Sequence, residues 1–125
     1  VFGCEKYCNP DPHERFRYPP TDSEFPYLNS GLFIGEAWAL RHCINGYVYN
    51  DKHDDQRFWT QVFLQQPEMI SLDYNNHLFL NTVDIDMEHF TWDGEYAHYK
   101  GKNPLFVHVN GPNKQLIYDL GASKR

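Results

Sequence analysis

Apolar positions along the chain fall into short runs broken by polar and proline-bearing stretches. Residues 28–35, Leu28-Asn29-Ser30-Gly31-Leu32-Phe33-Ile34-Gly35, read as a short apolar strand entered through a polar turn and left at a glycine. From Glu36 the period becomes helical: Ala37, Leu40, Ile44 and Val48 share a stripe with Arg41 beside it, and Asn45-Gly46 is a C-terminal stop. A second amphipathic helix is predicted from the i, i+1, i+4, i+5 placement of Phe58, Trp59, Val62 and Phe63, ending before Pro67, with an acidic cluster at its first turn.

Beyond Pro67 the pattern predicts strands at residues 69–72 and 77–80, around an Asp-Tyr-Asn-Asn turn. Phe90-Thr91-Trp92 and residues 95–99 flank Asp93-Gly94, the strongest hairpin signal in the chain. A last strand is expected at residues 105–109, running into Asn110-Gly111-Pro112-Asn113-Lys114. Residues 9–27 carry five of the eight prolines and predict a long irregular loop, with Phe16, Tyr18, Phe25 and Tyr27 as stacking surfaces or as packing. The expected organisation is one partial domain over residues 1–125: a loop-rich segment, 1–27, followed by a sheet-and-helix portion, 28–121. Strands mixed with helices in this order make an α/β or α+β layer structure.

Composition narrows the class. Aromatic residues make up 17% of the 125 positions, too much ring surface for a disordered tail. Eleven Lys and Arg against seventeen Asp and Glu leave a formal charge of -6, so the broad basic face of a nucleic-acid binder is missing. No window approaches the roughly 18 apolar residues of a membrane-spanning helix. The opening Val-Phe-Gly-Cys lacks a signal peptide's features, so any targeting segment is expected upstream or not at all. Cys4, Cys8 and Cys43 permit at most one internal bridge.

Several residues are candidates for chemistry. His108 sits in an apolar strand just before the Asn-Gly-Pro turn, compatible with a metal ligand or with a half-buried histidine donating one hydrogen bond. Asn110, Gly111 and Lys114 combine backbone amides with an ammonium group, a cradle suited to a diphosphate. Asp54 and Asp55 place a carboxylate to orient a hydroxyl or act as a base, with Gln56 adding a hydrogen bond; helix capping is the competing account. Asp84-Ile85-Asp86 has Asp-x-Asp spacing but reads as a solvated turn. Cys4-x3-Cys8 with His13 or His42-Cys43 does not form two zinc-ligand pairs.

Four of these segments in register carry a resemblance: residues 28–35; Asp54-Asp55-Gln56-Arg57-Phe58-Trp59-Thr60; Ser71-Leu72-Asp73 with Leu78-Phe79; and His108-Val109-Asn110-Gly111-Pro112-Asn113-Lys114. In order and spacing the chain resembles the glycosyltransferase domain of procollagen lysine hydroxylase/glycosyltransferases, with procollagen galactosyltransferases as more distant relatives. The opening Val1-Phe2-Gly3-Cys4-Glu5-Lys6-Tyr7-Cys8-Asn9-Pro10 resembles that family's segment containing Ala-Glu and Cys-Trp-Pro, so the likeness covers about residues 1 to 120.

The resemblance implies the C-terminal half of a GT-A-type fold, with a mixed sheet, flanking helices and a β-hairpin. It implies a metal-dependent transferase that moves a hexose from UDP-glucose or UDP-galactose, with Mn2+, to hydroxylysine or galactosyl-hydroxylysine of collagen-like chains in the endoplasmic reticulum lumen. By position, His108 matches the metal-ligand histidine, Asn110, Gly111 and Lys114 the diphosphate-side turn, and Asp54 and Asp55 the end of a poly-aspartate run near sugar and acceptor. Asn29 and Ser30 border the donor sugar. The Asp-x-Asp element and much of the uridine pocket are implied to lie in an N-terminal half not included here. Three positions depart from the family: Asn9 stands for a tryptophan, Val109 for a glycine, and Lys52-His53 interrupts the acidic run. The implied mechanism is electrostatic, with the metal ion and Lys114 neutralising the departing UDP while Asp54 or Asp55 orients the acceptor hydroxyl or stabilises charge on the sugar. The alternative is a non-catalytic remnant that binds a glycan or protein through its Tyr and Trp surfaces.

Overall fold

In the computed structural model, which describes residues 1–48 and 50–122, strands and helices alternate without forming one wide sheet. Strand β1, Phe2–Glu5, pairs antiparallel with β2, Tyr27–Phe33, with an irregularity between Phe2 and Gly3. Strand β3, Phe79–Asn81, lies parallel to β6, Phe106–His108, while β4, Phe90–Trp92, and β5, Ala97–Tyr99, form the expected hairpin. β1 and β3 lie side by side. The helices are α1, Ala37–Ile44, α2, Asp55–Gln65, and α3, Gln115–Ala122. This is a mixed α/β architecture, as expected.

All four residues of β1 are buried, so the strand sits inside a segment expected to be loop. Phe2 stacks on Phe33 and tilts against Trp59 of α2, and Cys4, Leu28, Leu80, Phe63, Ile70 and Tyr99 complete one continuous core. Each such side chain contributes about 1.5–3 kcal/mol when fully buried, which explains why so short a strand holds its place. Between β1 and β2 the proline-bearing stretch does run irregularly apart from a 3₁₀ turn, Pro12–Arg17. Its rings are mostly structural. Phe25 is fully buried and Tyr18 meets Tyr27 edge-on, its hydroxyl accepting from the Leu28 amide, whereas Phe16 and Tyr7 stand exposed.

Two strand expectations are corrected. Residues 69–72 form only a parallel bridge from Leu72 to Phe2, with Phe2 N–H donating to the Ser71 carbonyl at 2.9 Å. Ile70 and Leu72 are apolar because they fill the core, not because they join a ladder. Strand β3 begins at Phe79 rather than His77 because the buried Asp73 carboxylate accepts from the amides of His77, Leu78 and Phe79, at 3.0, 2.9 and 2.9 Å. A third helix, α3, follows the Asn-Gly-Pro turn where no element was expected.

Asn81 ties three strands together. Its Nδ2 donates to the Cys4 carbonyl of β1 at 2.7 Å and its Oδ1 faces His108 Nδ1 of β6 at 2.7 Å. Gly3 leaves the room this requires: a Cβ there would stand 2.9 Å from Asn81 Nδ2.

Candidate functional site

The ends of β1, β3 and β6 and the start of α2 meet at one cleft. Its volume is about 280 Å³, and Glu5, Asn9, Asn29, Asp54, Asp55, Gln56, Val83, Asn110 and Gly111 line it, with Pro10. Strand termini facing a helix start are where open α/β layers commonly build sites.

Each side chain is placed by local structure. Asp54 is the N-cap of α2, its Oδ1 accepting from the amides of Gln56 at 2.8 Å and Arg57 at 3.2 Å. The capping account therefore holds, and the same carboxylate lies on the cleft wall. Asp55 Oδ2 accepts from the Ser30 hydroxyl at 3.0 Å, and Gln56 accepts from the Ser30 amide and donates to the Asn9 carbonyl, both at 3.1 Å. The first turn of α2 is thereby tied to both β2 and the segment after β1.

Beneath these lies Glu5, which the sequence reading did not single out. It is 4% exposed and accepts from Asn9 Nδ2 at 3.2 Å and from Asn29 Nδ2. Burial raises its carboxyl above the ordinary glutamate range, and hydrogen bonds with Asn29, Asn9, Gln56 and Asn110 act against that shift. One buried carboxylate ringed by four amide side chains offers donors and acceptors in the mixture that sugar hydroxyls pair with. Its sequence signal is weak: a lone glutamate at the end of a short apolar run that leads into the proline-bearing stretch.

The Asn-Gly-Pro turn forms the facing wall, although part of the expected cradle is engaged. The Asn110 amide donates to the His108 carbonyl at 2.9 Å, and Asn110 Oδ1 accepts from the Val83 amide at 3.0 Å. Gly111 adopts φ +76°, and a Cβ there would stand 2.3 Å from Val83 Cγ2, so the position demands glycine on both counts. Lys114 does not line the cleft; its ammonium donates to the Val109 carbonyl at 2.8 Å.

His108 lies beside the cleft rather than on its wall. Its ring fills the space over Gly31, where a Cβ would come within 2.1 Å of Cε1. Because Asn81 Nδ2 is committed to Cys4, Asn81 Oδ1 faces the ring and assigns the proton to Nδ1, which leaves the Nε2 lone pair for a ligand. Burial, followed by the nearby Lys114 charge, lowers its pKa and favours the neutral ring that metals bind. It connects to the acidic helix start through Gly31 and the Ser30–Asp55 hydrogen bond. Among the described residues no three His, Cys, Asp or Glu side chains converge to hold a metal, so His108 fits as one ligand and not as a complete site.

Asp84-Ile85-Asp86 stays a turn. Ile85 is buried, Asp86 caps a short 3₁₀ turn through the Glu88 amide at 3.1 Å, and Asp84 pairs with Tyr7 and Lys6. All three cysteines are free thiols.

The sequence model of the PLOD GT domain matches residues 1–122. The chain belongs to this glycosyltransferase-domain family. It is 34% identical over 118 residues to the uncharacterized protein R699 of Acanthamoeba polyphaga mimivirus, covering 94% of the chain and 26% of that protein. It is 34% identical over 131 residues to a multifunctional procollagen lysine hydroxylase and glycosyltransferase of Caenorhabditis elegans, and 31% over 131 residues to procollagen-lysine,2-oxoglutarate 5-dioxygenase 1 of Gallus gallus, each covering 97% of the chain and 18% of the relative. The chain thus spans about a fifth to a quarter of the length of these relatives. As a domain of this family it carries the mixed α/β layout of a partial glycosyltransferase domain, and no helix among the described residues is long and apolar enough to cross a membrane.

Proposed function

We propose that this chain forms the sugar-side part of a glycosyltransferase site that takes a hexose from UDP-glucose or UDP-galactose and transfers it to hydroxylysine or galactosyl-hydroxylysine of collagen-like chains in the secretory pathway. The observation that carries this reading is the convergence of Asp54, Asp55, Gln56, Asn29, Asn110 and Gly111, from three segments far apart in sequence, on one cleft around buried Glu5. The amides of Asn29, Gln56 and Asn110 bind and orient the hexose, while Asp55, held by Ser30, orients the acceptor hydroxyl or stabilises positive charge on the sugar ring. Glu5 fixes the amide ring around it. A divalent cation such as Mn2+ would supply neutralising charge to the diphosphate, with His108 Nε2 holding it on this side and further ligands coming from outside the described residues.

The apolar edge of the molecule supports reading the chain as part of a larger domain. A two-stranded parallel sheet is rarely stable alone, and parallel strands are normally covered on both faces. Here no strand among the described residues pairs with the outer edge of β6, and Leu105 and Phe106 are 70% and 55% exposed. Beside them lies an apolar groove of about 190 Å³ lined by Leu32, Phe33, Ile34, Leu78, Phe79 and Phe106.

The test is hexose transfer by the full natural polypeptide from each UDP-sugar to peptides bearing hydroxylysine or galactosyl-hydroxylysine, with and without manganese. Transfer that falls at least a hundredfold in Asp55→Asn is the expected result. Donor binding without turnover would replace the reading with a non-catalytic glycan-binding domain.

A further inference from the structure

The residues between β3 and the hairpin form a thin partition. Val83 stands between the polar cleft and a second cavity of about 240 Å³, which Thr82, Asp84 and Ile85 also line, with Met87, Pro112 and Leu116 on its far side. Thr82 and Ile85 are anchored by burial, Ile85 within the core, whereas Val83 and Asp84 between them face cavity or solvent and depend on polar contacts for their position. On the cleft side Val83 is held by the Asn110 side chain and seated over Gly111. On the outside, two consecutive residues after Glu5 reach across: Lys6 Nζ donates to the Asp84 carbonyl at 2.6 Å, and the Tyr7 hydroxyl donates to the Asp84 carboxylate. Asp84 takes φ +53°, a left-handed turn conformation that aspartate tolerates better than most non-glycine residues.

We propose that Tyr7 and Asp84 form a latch that positions the Val83 wall against the Asn110-Gly111 turn and so keeps the cleft in shape for its ligand. The aspartate that resembles half of an Asp-x-Asp metal motif is thus a positioning residue acting through Val83, not a metal ligand. The latch links the segment that follows Glu5 to the facing wall, adding an outer tie to the Val83–Asn110 contact inside the cleft. Its role toward a ligand rests on the sugar-nucleotide reading above; its role in holding the wall does not. Both side chains stand on the surface, Tyr7 at 48% exposure, and their truncation leaves the core untouched.

Amide hydrogen exchange followed by NMR tests the latch without a ligand. In Tyr7→Phe and in Asp84→Ala, exchange of the Val83 amide is expected to accelerate about tenfold, the worth of one charge-assisted hydrogen bond, with shifts in the Asn110 and Gly111 signals. Asp84→Asn, which keeps an acceptor oxygen for Tyr7, should stay within about twofold of the unaltered chain. The Thr82 amide, bonded to the His108 carbonyl, should not respond in any variant. Unchanged Val83 exchange, or equal acceleration at Thr82 and Val83, overturns the latch. UDP-hexose affinity is then measured: a several-fold loss in Tyr7→Phe supports the positioning role, and an unchanged affinity overturns it. If the unaltered protein binds no UDP-hexose, the functional reading fails while the exchange result still decides the latch.

Discussion

Burial and polarity conflict most sharply at Glu5. Its carboxyl is held above the ordinary glutamate range in the folded chain, whereas the unfolded chain releases that proton near the usual value of 4.5. Between those two values the folded state binds more protons, so this group's contribution to stability is complete below 4.5 and lost as pH rises through the folded value. Glu5→Gln removes the dependence. Urea midpoints compared at pH 4.5 and pH 7 should fall more for the unaltered chain than for the variant; equal slopes would contradict the assignment. Gly31 carries a second prediction at this scale. A methyl group there meets the His108 ring, which is pinned through Asn81, so Gly31→Ala should cost about 1–3 kcal/mol in urea unfolding, and a neutral result would mean that the ring is free to move.

Asp54 acts both as an element boundary and as a cleft wall, and two substitutions separate those roles. Asp54→Ala should cost about 1 kcal/mol in urea unfolding through loss of the α2 cap, whereas asparagine caps nearly as well. Hexose transfer lost in Asp54→Asn, at unchanged stability, would therefore report the carboxylate's charge and not the helix. Elements with a strong local signal were legible in the sequence: α2 from its apolar stripe and acidic start, α1 from its stripe and Asn-Gly stop, and the β4–β5 hairpin from Asp-Gly. Those defined by distant partners were not. β1 is a strand only because β2 and the Asn81 side chain receive it, and the Asp73 carboxylate delays β3 by taking amides that sequence alone assigns to the ladder. α3 lies beyond the Asn-Gly-Pro turn and touches the core only through Leu120, and Gly121 in its last turn weakens the helical signal. For the same reason the candidate list included Asn110 and Asp55, placed by local turns, and passed over Glu5, whose importance depends on four amides from elsewhere in the chain.

At the scale of the molecule, the open edge of β6 and its apolar flank predict concentration-dependent association of the isolated chain. Phe106→Lys should reduce it in sedimentation experiments, because a charged side chain on an exposed edge blocks strand pairing. The cleft itself lies at the other end of β6, so the same variant should keep its ligand response. The acidic start of α2, the Asn29 strand and the Asn110-Gly111 turn line one cleft, and in the proposed function all three face one sugar nucleotide. Titrating the 15N-labelled full natural polypeptide with UDP-glucose or UDP-galactose, using Mg2+ as a diamagnetic cation, tests this residue by residue. The account predicts that the amides of Asn29, Asp55, Gln56 and Gly111 shift together along one saturable curve; shifts confined to the β4–β5 hairpin or to the surface around Arg15, or no shifts at all, would contradict it.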